Sequence, residues 1–387
     1  MNVAVLGSTG FLGQEILDTL SLFPECNIVA LTGFRNFKKL EQQTARFSPE
    51  VVFSSMQGIS ATAHGSKPSY PHTKYCREIG ELDDYLLGNE VDGVFFAASG
   101  LSFLETFTKL LSTNKKIWMA SKEILVAAGE IFNKDVPLRD RPNLIPLDSE
   151  HNALWQLRRW IREEEMRRYY LTASGGPFYE WLGNLNEITP EMALSHPNWK
   201  MGARITVDSA HLINKGLEVL EAHYLFGLGW EHVDVVVQRE SMIHAMVELQ
   251  DGFTAALMSR PDMKSVILNS VFPARERGNP FQGFCVDKLK TLHFDYPVPE
   301  KFQGFYLALQ AGKRGGGYPS FFCGACETCY HAFIQHKLLF GDMLDVLRDC
   351  MQEDVSSPQN IDSVLEVYYY GMRTADRFIQ QRSSPRC

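Results

Sequence analysis

A glycine-rich turn, Gly7-Ser8-Thr9-Gly10-Phe11-Leu12-Gly13, follows directly on the apolar run Asn2–Leu6 and leads into an amphipathic stretch. Glycine at such a turn lets the backbone approach a pyrophosphate, which then sits on the helix N-terminus. A tight strand-to-helix turn needs glycine anyway, so the turn alone says little. Its surroundings say more. Further short apolar runs, Asn27–Leu31, Val51–Phe53, Gly93–Ala97 and Lys116–Met119, alternate with helical patterns. Strands alternating with helices predict a doubly wound parallel sheet, and thus an α/β, Rossmann-like dinucleotide-binding domain over residues 1–140.

The second predicted strand is not followed by the acidic residue expected for an NAD ribose. Thr32-Gly33-Phe34-Arg35-Asn36 comes instead, with Lys38 and Lys39 close behind. A guanidinium suits a 2′-phosphate, so the pattern favours NADP. For the two lysines the plainer alternative is a solvated basic helix start.

Beyond a polar connector, Asp135–Asn143, a central α/β region is expected over 141–271. Its runs Val233–Val237, Ser241–Leu249 and Thr254–Met258 suggest a small sheet with a hairpin around Asp251-Gly252. A linker rich in Pro, Gly and Phe occupies 272–302, and 303–387 reads as a helical domain. The net charge of −8 excludes a general nucleic-acid binder. No apolar run reaches the roughly 20 residues that span a bilayer. The strand pattern begins at once, so no leader is expected and the chain reads as cytoplasmic. Eight cysteines suggest thiols rather than a disulfide framework. Cys323, Cys326 and Cys329 share part of an iron–sulfur spacing but lack the fourth Cys-Pro, and small buried helix residues are the preferred reading.

Chemistry concentrates in four places. Asp148-Ser149-Glu150 follows the strand run Leu144–Leu147. If that segment is extended, Asp148 and Glu150 point to one side and could chelate a hard cation, Mg²⁺ or Mn²⁺. Glu218 could supply a third carboxylate from a helix bearing Asn214 and Lys215, unless it forms only a solvent-facing pair with Lys215. Ser174-Gly175-Gly176-Pro177 is either an anion loop or a plain turn, and Ser209, Asn214 and Lys215 would extend an anion site. Ser121-Lys122-Glu123 closes a strand at the sheet edge where ligands gather. There Lys122 could polarise a carbonyl, and Glu123 could touch the cofactor or order Lys122. Finally, His196–Gly202 mixes Pro, Trp and Met in the manner of a lid.

These motifs, in this order, resemble the NADPH-dependent 1-deoxy-D-xylulose 5-phosphate reductoisomerase family. The match is strongest in GSTGFLG, LDSEHNALWQ, LTASGGPF, HPNWKMGARITVDSAHLINKGLEVLEA and SRPDM. The resemblance implies one divalent ion on Asp148, Glu150 and Glu218, and a substrate phosphate held by Ser174, Ser209, Asn214 and Lys215. It implies a flap within 195–204 in which Trp199 covers the substrate, Met201 lies beside it and His196 reaches the phosphate or hydroxyls. Ser149 would contact substrate, and Lys122 would assist at the metal-bound end. Gly7 to Leu12, Gly33, Arg35, Asn36, Ser121, Glu123, Gly202 and Met263 would line the NADPH site. The implied chemistry is rearrangement of the carbon skeleton, by retro-aldol cleavage and re-addition, followed by hydride transfer to the resulting aldehyde. A homodimer through the central domain is likewise implied.

Several residues depart from the family pattern: Phe11, Ser121, His211, Gln238 to Glu240, and the run from Cys323 to Cys326. They keep two other readings open, a related NADP- and metal-dependent oxidoreductase on another sugar phosphate and a catalytically silent NADP-binding paralogue. Retention of the three carboxylates and Lys122 speaks against the silent paralogue.

Overall fold

The computed structural model describes residues 1–54, 70, 72–195, 199, 201–272, 280–281, 283, 289 and 291–383. Its strands are β1 (Asn2–Leu6), β2 (Asn27–Gly33), β3 (Val51–Ser54), β4 (Lys74–Cys76), β5 (Gly93–Phe96), β6 (Lys116–Met119), β7 (Leu144–Pro146), β8 (Met166–Ala173), β9 (Val233–Val237), β10 (Ile243–Leu249) and β11 (Thr254–Met258). Its helices begin with α1 (Phe11–Leu20), α2 (Phe37–Phe47), α3 (Ile79–Leu87), α4 (Leu104–Leu111), α5 (Lys122–Phe132), α6 (Ser149–Trp160) and α7 (Pro190–Ala193). They continue with α8 (Ala203–Ala210), α9 (Ile213–Phe226), α10 (Met263–Val271), α11 (Gln303–Arg314), α12 (Tyr318–Ile334), α13 (Phe340–Cys350) and α14 (Ile361–Ser383).

Packing divides the chain into two units. The first joins Met1–Ser121, Pro142–Asn152 and Asp262–Gln282; the second joins Lys122–Arg141, Ala153–Pro261 and Gly283–Cys387. These units cut across the linear segments 1–140, 141–271, 272–302 and 303–387. Part of the linker call, 273–279 with 282, 284–288 and 290, lies outside the described residues.

The first unit carries a seven-stranded sheet in the order β4-β3-β2-β1-β5-β6-β7, parallel throughout. Strands β1 and β5 are continuous apolar runs because both faces of a parallel sheet are covered; Val3 to Leu6 and Val94 to Phe96 are fully buried. Phe95 and Trp118 stack with ring centroids 4.2 Å apart. The Trp118 indole N–H donates to the Ser270 carbonyl at 3.0 Å, fixing α10 within this unit. Strand order reverses between β1 and β5, and such a reversal opens a ligand crevice at the strands' carboxyl ends.

The second unit holds a four-stranded sheet, β11-β10-β8-β9. The expected hairpin joins β10 to β11: Gly252 takes φ +89°, and the Phe253 amide donates to Asp251 Oδ1 at 3.0 Å. Strand β8, parallel to β9, adds to the three strands expected. One expectation fails: Ser149 and Glu150 are not extended but open α6. The Glu150 amide donates to Asp148 Oδ1 at 3.3 Å, so Asp148 begins a helix, as a carboxylate at an N-terminus does.

In the helical part, Cys323, Cys326 and Cys329 are buried on α12, as the preferred reading had it. Burial pushes all three thiols up from their ordinary pKa, away from the thiolate that binds metals. Among the described residues they join no cluster of metal-ligating groups. Helices α12 and α14 meet at Gly324, where a Cβ would lie 2.0 Å from the Tyr368 carbonyl oxygen. Gly324→Ala should therefore force the helices apart and lower stability by about 1–3 kcal/mol, read as a lower urea midpoint.

Candidate functional site

In the first unit the glycine turn stands at the strand-order reversal. Gly7 has φ +83°, and a Cβ there would lie 2.7 Å from the Ala98 amide nitrogen. Only glycine combines that φ with that approach. The Gly7 amide is taken by Thr32 Oγ1 at 2.8 Å, and Gln43 Nε2 donates to the Ser8 carbonyl at 2.8 Å. The turn is thus braced from β2 and α2. Gly10 caps α1 without any side-chain hydrogen bond, so the amides of its first turn face outward, as a helix N-terminus does for an anion.

Arg35 and Asn36 are exposed beyond β2, and Asn36 caps α2 by accepting from the Lys39 amide at 3.1 Å. Lys39 donates to Gln14 Oε1 at 2.6 Å, which leaves Arg35 the better placed for a 2′-phosphate. Ser121 is buried and donates to the Ala98 carbonyl. That bond ties the end of β6 to the loop against Gly7, which accounts for serine at this position. Met263 opens α10 in the same unit, where the Asp262 side chain accepts from the Lys264 amide.

Asp148 and Glu150 also belong to the first unit. Ser149 Oγ donates to Glu150 Oε2 at 2.5 Å, and His151 Nδ1 lies 3.2 Å from Asp148 Oδ1. The carboxylates are therefore positioned by the start of α6, with Asn152 Nδ2 bonded to the Pro146 carbonyl at 2.9 Å.

The second unit centres on Glu218, whose side chain is 2% exposed. Lys122 Nζ lies 3.3 Å from Glu218 Oε1, Asn214 Nδ2 donates to the same oxygen at 2.5 Å, and Lys215 Nζ donates to Oε2. The Lys215–Glu218 pair exists, but buried rather than facing solvent. Asn133 Nδ2 bonds the Tyr224 carbonyl at 3.0 Å and holds α5 beside α9, which brings Lys122 to Glu218. The two ammonium groups and the amide compensate this carboxylate for the hydration it loses on burial.

Ser174 follows β8 in a loop where Gly175 and Gly176 take φ +84° and +73°. A Cβ on Gly176 would meet the Ser209 carbonyl oxygen at 2.6 Å, so glycine lets the Ser174 loop touch the end of α8. The Ser174 loop thus meets the Ser209 backbone through Gly176, and α9 follows with Asn214 and Lys215. Gly202 caps α8. Of the flap, His196 to Asn198 and Lys200 lie outside the described residues. The Trp199 indole sits edge-on to His244, centroids 5.9 Å apart, and His244 Nε2 is 2.8 Å from Ser259 Oγ.

Glu123 was expected at the cofactor or ordering Lys122. It is buried, and its carboxyl is pushed up by burial and drawn down by Arg204. It thus belongs to a charge cluster around α8 that the sequence reading missed. Gln238 replaces an expected histidine with a turn staple, its Oε1 accepting from the Met242 amide at 2.8 Å. His211 acquires a physical account: its ring stacks on Phe340 at 3.7 Å, and Nε2 reaches the Phe340 carbonyl at 3.1 Å.

A glycine turn at the switch of a doubly wound sheet, with acidic and hydroxyl-rich sites elsewhere in the chain, defines a nucleotide-dependent oxidoreductase class. Family models place it further. They match as 1-deoxy-D-xylulose 5-phosphate reductoisomerase over 3–129, its C-terminal domain over 144–226, and a DXP reductoisomerase C-terminal domain over 258–370. The reductoisomerase of Thermomicrobium roseum is 34% identical over 94% of both chains, and that of Aquifex aeolicus 32% identical over 99% of both. A crystal structure of DOX-P reductoisomerase with NADPH, fosmidomycin and magnesium superposes with TM-score 0.88 at 26% identity, covering 99% of each chain. The Zymomonas mobilis enzyme with NADPH gives TM-score 0.83 at 28% identity, covering 98% of this chain and 99% of that one. The chain belongs to the 1-deoxy-D-xylulose 5-phosphate reductoisomerase family.

Burial lowers the His211 pKa to about 3. The folded state therefore keeps the ring neutral while the unfolded chain takes up a proton below about 6.5. Stability from this group is complete above pH 6.5 and is lost as pH falls towards 3. Between pH 6.5 and 5 the loss should approach about 2 kcal/mol. Urea denaturation of His211→Phe should show a correspondingly flatter acid limb.

Proposed function

We infer that this protein isomerises and reduces 1-deoxy-D-xylulose 5-phosphate to 2-C-methyl-D-erythritol 4-phosphate, using NADPH and a divalent ion, Mg²⁺ or Mn²⁺. The observation that carries the reading is the buried Glu218 with Lys122, Asn214 and Lys215 around it, in a chain matched over its full length by reductoisomerases.

The residues present suit both cofactors. The Gly7 turn offers a cradle that a Cβ would fill, and Arg35 offers a cation for a 2′-phosphate. Gly7 to Leu12, Gly33, Asn36, Ser121, Glu123, Gly202 and Met263 complete the proposed NADPH site. Oxygen donors on Asp148, Glu150 and Glu218 suit a hard cation and would hold it. When bound, the nicotinamide supplies reducing equivalents and the ion supplies electrostatic stabilisation to oxyanion charge.

The chain's own residues do the rest. Ser174, Ser209, Asn214 and Lys215 bind the phosphate, giving hydroxyl and amide donors with one cation. Lys122 offsets negative charge at the reacting oxygens and orients Glu218. Ser149 contacts the substrate, while His196, Trp199 and Met201 cover it and exclude water. The reading includes a homodimer through the central region, and a cytoplasmic location. Among the described residues no helix is long and apolar enough to cross a membrane.

Purified protein should consume NADPH absorbance only when deoxyxylulose phosphate and Mg²⁺ or Mn²⁺ are both present. Folded, NADPH-binding protein without turnover would overturn the reading. Glu218→Gln should cut kcat about a hundredfold or more, and a near-normal rate would remove Glu218 from the site.

A further inference from the structure

Helix α8 is eight residues long and connects two functional segments. Gly202, the last flap residue, caps its start, with Thr206 Oγ1 donating to the Gly202 carbonyl at 3.0 Å. Ser209, a proposed phosphate anchor, lies in its last turn. A helix of two turns has little rigidity of its own, so its direction depends on what grips it.

The grip is a buried guanidinium. Arg204 Nε donates to Asp208 Oδ2 at 2.6 Å, one turn along the same helix. Its Nη1 donates to Glu327 Oε2 on α12, and its Cζ lies 5.3 Å from the Tyr330 ring centroid. His331 Nε2 in turn sits 2.8 Å from Glu327 Oε1. Arg204 and Asp208 side chains are 8% and 5% exposed, so the ion pair operates with little solvent screening. Burial opposes the Arg204 charge, but Asp208 and Glu327 raise its pKa above the ordinary arginine value.

One side chain thus links both ends of α8, two residues after the flap and one before Ser209, to α12. The same charge draws down the carboxyl of Glu123, which burial raises and which is the neighbour of Lys122. Asp208 Oδ1 is buried without a hydrogen-bond partner among the described residues. Arg204 is thus the cation that makes direct ion pairs with both Asp208 and Glu327. A planar guanidinium presents donors on two edges at fixed angles and so holds two carboxylates on different helices in one geometry, which a compact ammonium does less well.

We propose that Arg204 is a positioning residue for substrate binding: bridging Asp208 and Glu327, it sets the direction of α8 and so the placement of Gly202 at its start and Ser209 at its end. It touches neither substrate nor cofactor. The proposal rests on the reductoisomerase reading for the identity of the substrate.

Steady-state kinetics of Arg204→Lys and Glu327→Gln test it. Both keep volume, and Glu327→Gln keeps a hydrogen-bond acceptor while removing one charge. In each the KM for deoxyxylulose phosphate should rise roughly tenfold or more, as small misplacements do. The KM for NADPH, to whose proposed site α8 contributes only Gly202, should rise several-fold less than the substrate KM, and Arg204→Met should be worse than Arg204→Lys. If Arg204→Met does not fold, the two conservative variants decide. An unchanged substrate KM in both overturns the proposal. So does a parallel rise of both KM values with a fall in thermal midpoint, which marks a purely structural role. Absence of turnover in the unsubstituted protein would strike the functional reading first, and this proposal with it.

Discussion

A carboxylate almost sealed from water, Glu218, sets the terms for the second unit. An isolated buried carboxylate would cost several kcal/mol and would surrender its charge. Here Lys122 from α5 and Lys215 from α9 supply the opposing charge, and Asn214 supplies a neutral donor. The arrangement obliges α5 and α9 to lie side by side. It also places two ammonium groups where negative charge gathers during the proposed reaction, so that catalytic electrostatics and helix packing share the same atoms.

The first unit solves a different problem, bringing backbone close to a large anion. Its answer relies on absent atoms: no Cβ at Gly7 and no side-chain cap on α1. Thr32, Gln43 and Ser121 then fix the neighbouring backbone from β2, α2 and the end of β6. Polar side chains that look incidental in the sequence serve as braces for a turn whose closest backbone approach carries no side chain.

Much of this was legible in the sequence for physical reasons. Continuous apolar runs bounded by Gly and polar turns placed β1, β6 and β9 with little error, because strands buried on both faces leave no alternation to misread; β11, half exposed at a sheet edge, was marked by its run of Ala, Leu and Met. Other elements carried weaker signals. β4 is three residues long and half exposed, and β8 begins with Met-Arg-Arg, where charged residues disguise a strand. Glu150 was read on an extended segment because strand β7 runs up to it, yet the Asp148 carboxylate starts a helix there. Of the site, residues grouped within one short stretch, such as Asn214, Lys215 and Glu218, were readable together. The Arg204–Glu327 bridge was not, since its partners are 123 residues apart and only packing makes them neighbours. The family resemblance supplied the substrate, which no spacing could have named.

The three-part composition of the first unit bears on how the molecule is made. Its sheet is complete once β7 has been synthesised, but α10, anchored by the Trp118–Ser270 hydrogen bond, arrives more than a hundred residues later. In between, the ribosome delivers all four strands of the other unit's sheet. The nascent chain must therefore hold an open apolar flank until that late helix returns, the kind of exposed intermediate from which aggregation starts. Vectorial synthesis makes residues 262–272 a closing seam, and any chain ending before them would leave the nucleotide fold without its last layer.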